Sequence, residues 1–300
     1  MNWTELLVDV TLMPLLAFVI GLGMVLMLRK VQARIQRRVG PPFFQPLYDI
    51  IKLFSKQTQV SHGVIHDMGI VMLIGGYITA EIFLPVPGMV ALAEKGDILV
   101  LVYLLMVPAL GMALGVGQCA NPNGSIGISR ALTSMLAYDI PFMVVIVGVA
   151  YHYGTTSLPE IIALQQQGGV SSWGIGTMPV LALAGIITIH VMLGKEPFET
   201  YVAPAEIATG PMVEMGGKYL GGMFISQCFQ LYTAGVIYAT LFLGGGENWL
   251  AFLVKIFAVM FIPLAITVVF PRFKVGEGTA WAWKWPTGIG LVGLALIFLQ

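Results

Sequence analysis

The chain has 300 residues, of which 57% are hydrophobic and 10% charged, with 15 basic side chains balancing 15 acidic ones. Its mean hydropathy is +0.87. A soluble domain keeps about a quarter of its residues charged, so this composition excludes an ordinary water-wetted globule. The absence of net charge and of aromatic–basic interleaving excludes a nucleic-acid footprint.

The start, Met1–Asp9, is acidic rather than basic, and the apolar run after it is long enough to remain as an anchor instead of a cleaved signal. Apolar runs predict membrane-spanning helices at 10–28, 68–89, 98–116, 131–150, 175–193, 220–243, 249–270 and 285–299. Backbone polar groups find no water in hydrocarbon, so these runs should be helices and not strands. The expected fold class is an all-α integral membrane protein, one polytopic domain over 1–300. It has about eight transmembrane helices plus one amphipathic interfacial helix.

That interfacial helix lies in a basic loop, 30–66, after the first span. Val39-Gly40-Pro41-Pro42 reads as a turn. Beyond it Leu47, Ile50, Ile51 and Phe54 recur at helical spacing, with Asp49, Lys52, Ser55 and Lys56 on other faces. Two roles stay open: a surface helix held by anionic headgroups, or a polar face that docks a soluble partner. The docking candidates are Arg34, Arg37, Arg38, Asp49 and Lys52.

Four ionisable groups fall inside spans. Glu81 lies in the second, fourteen residues past Asp67 and roughly 20 Å deep by helical rise. In the third span, Gly111-x-x-x-Gly115 is expected to let two helices approach closely. Arg130 marks the membrane boundary before the fourth, and Asp139 follows nine residues later, roughly 14 Å in, with Pro141 loosening the helix behind it. Carboxyls in hydrocarbon are costly and usually mark a relay, a wet cavity or a paired partner. His190, with no second ligand one turn away, reads as a packing residue, and Lys255 as a snorkelling one.

The loop 194–219 is acidic, with Glu196, Glu199, Glu206 and Glu214 against Lys195 and Lys218. Pro204 and Gly210-Pro211 argue against one continuous helix, so its glutamates must be arranged by short folded-back segments. Its apolar residues, Phe198, Tyr201, Val202, Ile207, Met212, Val213 and Met215, require packing against helices or a partner. Glutamates so placed become proton carriers, pair with cations, or serve only as structural charges. The candidates for a proton path are therefore Glu199, Glu206, Glu214, Asp139 and Glu81.

With an outside N-terminus the inner loops hold Arg29, Lys30, Arg34, Arg37, Arg38, Lys52, Lys56, Arg130, Lys195, Lys218, Arg272, Lys274 and Lys284. Only Lys95 and Lys255 of the 15 basic residues lie elsewhere. Tryptophans fall at the expected interfaces: Trp3, Trp173 and Trp249 outside, Trp281, Trp283 and Trp285 inside. The two cysteines, Cys119 and Cys228, cannot supply a cluster's four ligands. No nucleophile–base set, phosphate-cradling loop or metal-ligand cluster is evident, so no cofactor is expected on this chain.

Three blocks carry a family resemblance. RIQRRVGPPFFQPLYDIIKLFSK resembles the first inner loop of the complex I membrane subunit of the NuoH (subunit 1) family, with Gly40-Pro41, Gln45-Pro46, Asp49, Lys52, Leu53 and Phe54 matching. SRALTSMLAYDIPF resembles its fourth span, with Arg130, Tyr138 and Asp139 in place. EPFETYVAPAEIATGPMVEMGGKY resembles its acidic loop through Pro197, Phe198, Glu199, Glu206, Gly210 and Glu214. Complex I members carry a polar Glu-Thr-Asn-Arg run where Leu193-Gly194-Lys195-Glu196 stands here, which argues against quinone binding. The resemblance therefore points to the membrane-anchor subunit of group 4 energy-converting nickel–iron (NiFe) hydrogenases.

That resemblance implies a prokaryotic cytoplasmic-membrane subunit with both termini outside. It would anchor a cytoplasmic redox arm and couple electron transfer to proton or sodium-ion movement. It also implies partners: hydrogenase large and small subunits, an iron–sulfur subunit and antiporter-like membrane subunits, which hold the nickel–iron centre and iron–sulfur clusters. The alternative is a quinone-site subunit of a complex I-type NADH dehydrogenase, or a related sulfur-reducing complex. A stand-alone secondary transporter is a third reading, disfavoured by the lack of an internal repeat.

Overall fold

A computed structural model describes residues 3–57 and 63–299. Residues 58–62 of the expected basic loop and the indole of Trp3 lie outside the described residues.

The chain runs α1 (Trp3–Ile35), α2 (Gln45–Ser55), α3 (Val64–Ile82), α4 (Ile98–Gly117), α5 (Pro122–Tyr153) and α6 (Leu158–Gln167). It continues through α7 (Gly174–Thr177), α8 (Pro179–Met192), α9 (Pro204–Ile207), α10 (Lys218–Phe242), α11 (Trp249–Val269) and α12 (Val275–Phe298). Among the described residues there is no β-strand. The all-α membrane fold expected from hydropathy is the one found. Six helices, α1, α3, α4, α5, α10 and α11, are long and apolar enough to cross a bilayer. The other two expected spans are occupied by α8, an apolar helix of 14 residues, and α12, of 24.

Helices α1 and α5 run to 33 and 32 residues, well beyond the spans read from hydropathy. The reason is that helical hydrogen bonding continues past the apolar stretch into charged sequence such as Arg29–Ile35 and Pro122–Arg130. The fifth span is broken at Met178, whose backbone leaves helical geometry between α7 and α8.

Helix α10 forms the axis: from Phe229 to Phe242 nearly every side chain is buried, and α1, α2, α3 and α11 pack around it. Helices α3 and α4 approach most closely, because a Cβ on Gly69 would lie 2.3 Å from the Gly115 nitrogen and one on Gly111 2.5 Å from the Leu73 nitrogen. The described residues 36–57 and the loops 118–121, 193–217 and 270–274 gather at one end of the bundle, which is thus its basic end.

Candidate functional site

The basic end is organised by the segment between α8 and α10. It forms the short helix α9 and a 3-10 turn at Gly210–Met212, and Ala203, Ala208 and Thr209 take positive φ. These reversals set Glu206 and Glu214 apart from the Glu196–Glu199 pair. Glu199 and Glu196 both meet the Arg272 guanidinium, Glu196 at 3.5 Å and Glu199 in a closer contact. Glu206 accepts from Arg130 at 2.8 Å. Glu214 lies against Cys119. The three sequence-predicted glutamates therefore do not form one cluster, and their cations come from α5 and the α11–α12 connection, not from the basic loop.

Electrostatics single out the Arg272 group. Burial and then the neighbouring Glu196 raise the Glu199 carboxyl above its ordinary value, against the pull of Arg272 and Lys195. Burial likewise pushes Lys195 down, opposed by Glu199 and Glu196. Two carboxyls held on shared cations favour retention of a proton between them. Two residues on, burial and the Glu199 charge push the Tyr201 hydroxyl up to about 12.

Tyr201 opens onto a cavity of about 110 Å³ among α3, α4, α5, α8 and α10. Tyr77, Tyr138, Ser134, Gln227 and Gln230 supply its polar lining, and Met112, Met135, Met192, Met212 and Met223 much of the rest. The polar groups of its lining give water molecules in this space hydrogen-bond partners. Ser134 shares a 2.9 Å hydrogen bond with Thr200, which closes the cavity's rim toward the glutamates.

Glu81 stands one helical turn beyond Tyr77 on α3 and is 2% exposed. Its carboxyl meets the Thr233 hydroxyl of α10, and that hydroxyl also lies 2.8 Å from the Phe229 carbonyl. Thr233 has one proton for two acceptors. A protonated Glu81 resolves the conflict by donating to Thr233, which then donates to Phe229.

Asp139 takes another position. Its neighbour Tyr138 lines the cavity, whereas Asp139 does not and is partly exposed. Among the described residues no hydrogen bond or ion pair reaches it. Arg130, read as an interface charge, also donates to the Thr200 carbonyl at 3.2 Å.

On the basic loop, Asp49 accepts from Arg29 at 3.2 Å and Gln45 at 2.9 Å, with Lys52 at 3.6 Å. Burial alone would raise its carboxyl, but Gln45, Arg29 and Lys52 together hold it below the usual range. Arg34, Arg37 and Arg38 are exposed. Helix α2 splits its apolar residues: Pro46, Ile50 and Leu53 are buried, while Ile51 and Phe54 are 57% and 50% exposed. Leu53 and Phe54 both rest against Gly221 of α10.

Two further expectations resolve at atomic level. Lys255 turns its ammonium toward the outer end, where it donates to the Leu243 and Gly245 carbonyls at 2.7 and 2.9 Å and sits 4.0 Å from the Trp173 ring centroid. The free carbonyls at the α10 C-terminus are natural partners for a cation. His190 is buried edge-on against Phe198, as a packing residue would be.

Sequence reasoning gave no role to Arg272, Tyr201 and Thr233. Arg272 was visible only as one inner cation and Tyr201 only as an apolar loop residue, and a threonine within an apolar helix gives no signal at all. Among the described residues no group of three or more His, Cys, Asp or Glu is arranged to hold a metal ion.

A polytopic helical bundle with a charged loop face at one end and buried carboxyls behind it defines a membrane subunit built to work with partners. The NADH dehydrogenase family model matches residues 8–298, and the chain belongs to that family. A subunit of the NADH-quinone oxidoreductase of Protochlamydia amoebophila is 30% identical, over 89% of this chain and 89% of its own length. Subunit 8 of the Rhodothermus marinus enzyme is 25% identical over 90% and 89%. Among solved structures, a chain of an archaeal respiratory membrane complex, the membrane-bound sulfane sulfur reductase, superposes with a TM-score of 0.92 at 38% identity, covering 97% of this chain and 99% of that one.

Proposed function

We propose that this chain is the membrane subunit of a respiratory complex I-like assembly, one that anchors a soluble redox arm at its basic end and couples electron transfer to ion movement. The observation that carries this is the succession of Glu196 and Glu199 on Arg272, of Tyr201 and Tyr77 on one polar cavity, and of buried Glu81 one turn beyond Tyr77. Each stop is a group able to hold or pass a proton, and the cavity between them has room for bridging water.

A change of charge in a docked redox partner would act first on the exposed loop. It would shift proton occupancy between Glu196 and Glu199, whose two carboxyls compete for Arg272. Tyr201, Ser134, Gln227 and Gln230 would order water in the cavity, and Tyr77 would relay to Glu81. Arg34, Arg37 and Lys52 offer exposed cations to an acidic arm. The iron–sulfur clusters and any nickel–iron centre belong, in this reading, to partner chains, and antiporter-like subunits complete the ion path. The basic end faces the cytoplasm, both termini face outward, and the ion is a proton or sodium.

The Leu193-Gly194-Lys195-Glu196 sequence favours a nickel–iron hydrogenase partner over a quinone-reducing one. A second reading, reduction of a sulfur species, is favoured by the 38% identity to a chain of the sulfane sulfur reductase complex. Purification of the intact complex followed by assays with hydrogen and with polysulfide decides between them. Reconstitution of that complex in liposomes tests the common core. Glu199→Gln should leave electron transfer measurable while coupled ion uptake falls several-fold; equal coupling in the variant would overturn the relay.

A further inference from the structure

The stretch 29–57 carries Arg29, Lys30, Arg34, Arg37, Arg38, Lys52 and Lys56 against a single acid, Asp49. Only Arg29 and Lys52 are neutralised by it. Between the end of α1 and the following turn lies a cavity of about 310 Å³, lined by Arg29, Gln32, Ala33, Arg38, Gly40 and Pro41. Its volume falls at the small end of the range for ligand clefts.

The cavity is a product of the turn. Arg37 and Gly40 both take positive φ, 56° and 75°, which reverses the chain onto α1. Gly40 then sits so close to α1 that a Cβ there would be 2.8 Å from the Ala33 methyl. The reversal brings Arg38 back beside Arg29.

The polar lining is rich in donors. Arg29 uses one nitrogen on Asp49, and Arg38 uses one on Gln36; among the described residues nothing engages the remaining N–H groups of either fork. The Gln32 carboxamide has no hydrogen-bond partner among the described residues. Two guanidinium forks and an amide make a lining that matches the oxygens of a phosphodiester.

The surroundings are apolar. Val39 is 77% exposed, and Phe43, Phe44, Tyr48 and Ile51 are all more than half exposed beside it. Aromatic side chains open to the outside, at the level where α1 turns from apolar to charged, belong to the bilayer's interfacial zone. An anionic ligand with hydrocarbon attached satisfies both parts; a free anion leaves the aromatic rim uncovered.

We propose that the cleft between α1 and the 37–41 turn is a binding site for the headgroup of an anionic phospholipid, whose acyl chains lie along the exposed aromatic flank of α2. The lipid seals the corner of the bundle where α1, α2 and α10 meet. It does not depend on which oxidoreductase the chain serves.

The test uses the purified whole complex, delipidated and then exchanged into nanodiscs of phosphatidylcholine alone or of phosphatidylcholine with phosphatidylglycerol. Lipid retained per complex is read by native mass spectrometry. The expected result is selective retention of phosphatidylglycerol, reduced about fivefold in Arg38→Ala, as loss of one cation near an anionic surface predicts. Arg38→Lys should restore part of it. Equal retention of both lipids by the unaltered complex would overturn the proposal without recourse to any variant. So would displacement of the lipid by inorganic phosphate, which marks a site for the free anion. Release of the soluble arm from Arg38→Ala with lipid retention unchanged would overturn it too, while leaving the anchoring function standing.

Discussion

Arg130 at the beginning of α5 reaches Glu206 across 76 positions of sequence, and the same nitrogen that binds the carboxylate at 2.8 Å also donates to the Thr200 carbonyl at 3.2 Å. One side chain thus ties α5 to both ends of the stretch carrying Tyr201. The two interactions are unequal. The Glu206 carboxylate is 60% exposed, so its pair with Arg130 is screened and worth at most about 1 kcal/mol. The Thr200 carbonyl belongs to a residue only 6% exposed, and losing its donor costs about 1–3 kcal/mol. Glu206→Gln should therefore be nearly silent, whereas Arg130→Ala should loosen the loop. Limited proteolysis of the assembled complex checks this: cleavage within 199–213 should accelerate in Arg130→Ala alone, and equal protection in both variants contradicts the ranking.

The behaviour of Glu199 with pH follows from its raised carboxyl. Its ordinary value is 4.5, and burial with the Glu196 neighbour lifts it in the folded protein. A carboxyl raised by folding binds its proton more tightly in the native state, so the stabilisation is complete below 4.5 and is lost as pH rises through the folded value. Asp49 has the opposite sign: held below 3.8, it contributes above that value and its contribution is lost as pH falls. Hydrogen exchange of residues 195–201, corrected for intrinsic rates, should therefore quicken as pH rises above 4.5, while residues 45–53 should quicken on acidification. Glu199→Gln should flatten the first profile and leave the second unchanged.

Much of this architecture was legible in the sequence because bilayer crossing writes a long apolar signature. The close packing at Gly111 and Gly115 was legible too, since small residues four apart have few other uses in an apolar helix. The loop was not. Ala203, Ala208 and Thr209 adopt positive φ without being glycine, so no residue preference announces those reversals. Helix α2 was legible, but not which of its apolar residues the bundle covers: Ile51 and Phe54 are as apolar as Ile50 and Leu53, and only the position of α10 decides which pair is buried. Near a membrane, an apolar side chain has two places to go.

The packing of α3 on α4 supplies a direct stability test. Gly69 meets the α4 backbone at Gly115 and Gly111, so an added methyl has no flexible side chain to displace. Gly69→Ala must separate the two backbones, at a cost of about 1–3 kcal/mol by the usual scale of overpacking. Gly75, on the same helix with nothing within 4 Å of its added Cβ, is the control. Thermal unfolding in detergent should show a lowered midpoint for Gly69→Ala and none of that loss for Gly75→Ala; matching midpoints would mean the helices move apart freely.

For Glu81 the hydrogen-bond count makes the prediction. A glutamine can donate from its amide to Thr233, which still donates to the Phe229 carbonyl, so Glu81→Gln should fold within about 1 kcal/mol of the parent. It cannot release a proton. Reconstituted complex bearing Glu81→Gln should keep its electron-transfer rate without coupling while ion uptake collapses. Loss of both activities together would instead assign Glu81 a structural part.

Asp139 completes the set because it stands outside the hydrogen-bonded chain that includes Glu81. It lies seventeen residues into α5, about 26 Å along the helix at 1.5 Å per residue. Its flanks Leu136 and Ile140 are 59% and 46% exposed, and nothing among the described residues binds its carboxyl. A carboxyl left facing hydrocarbon is costly, which is why a neighbouring membrane subunit is the natural source of its partner. Asp139→Asn removes the charge and keeps the shape, so the bundle should be unaffected and the isolated chain's thermal midpoint unchanged. In the full complex the same substitution should lower coupled ion movement without releasing the soluble arm. Coupling equal to the parent would remove Asp139 from the ion path, and a lowered midpoint in the isolated chain would show that its carboxyl serves this bundle instead of a neighbour.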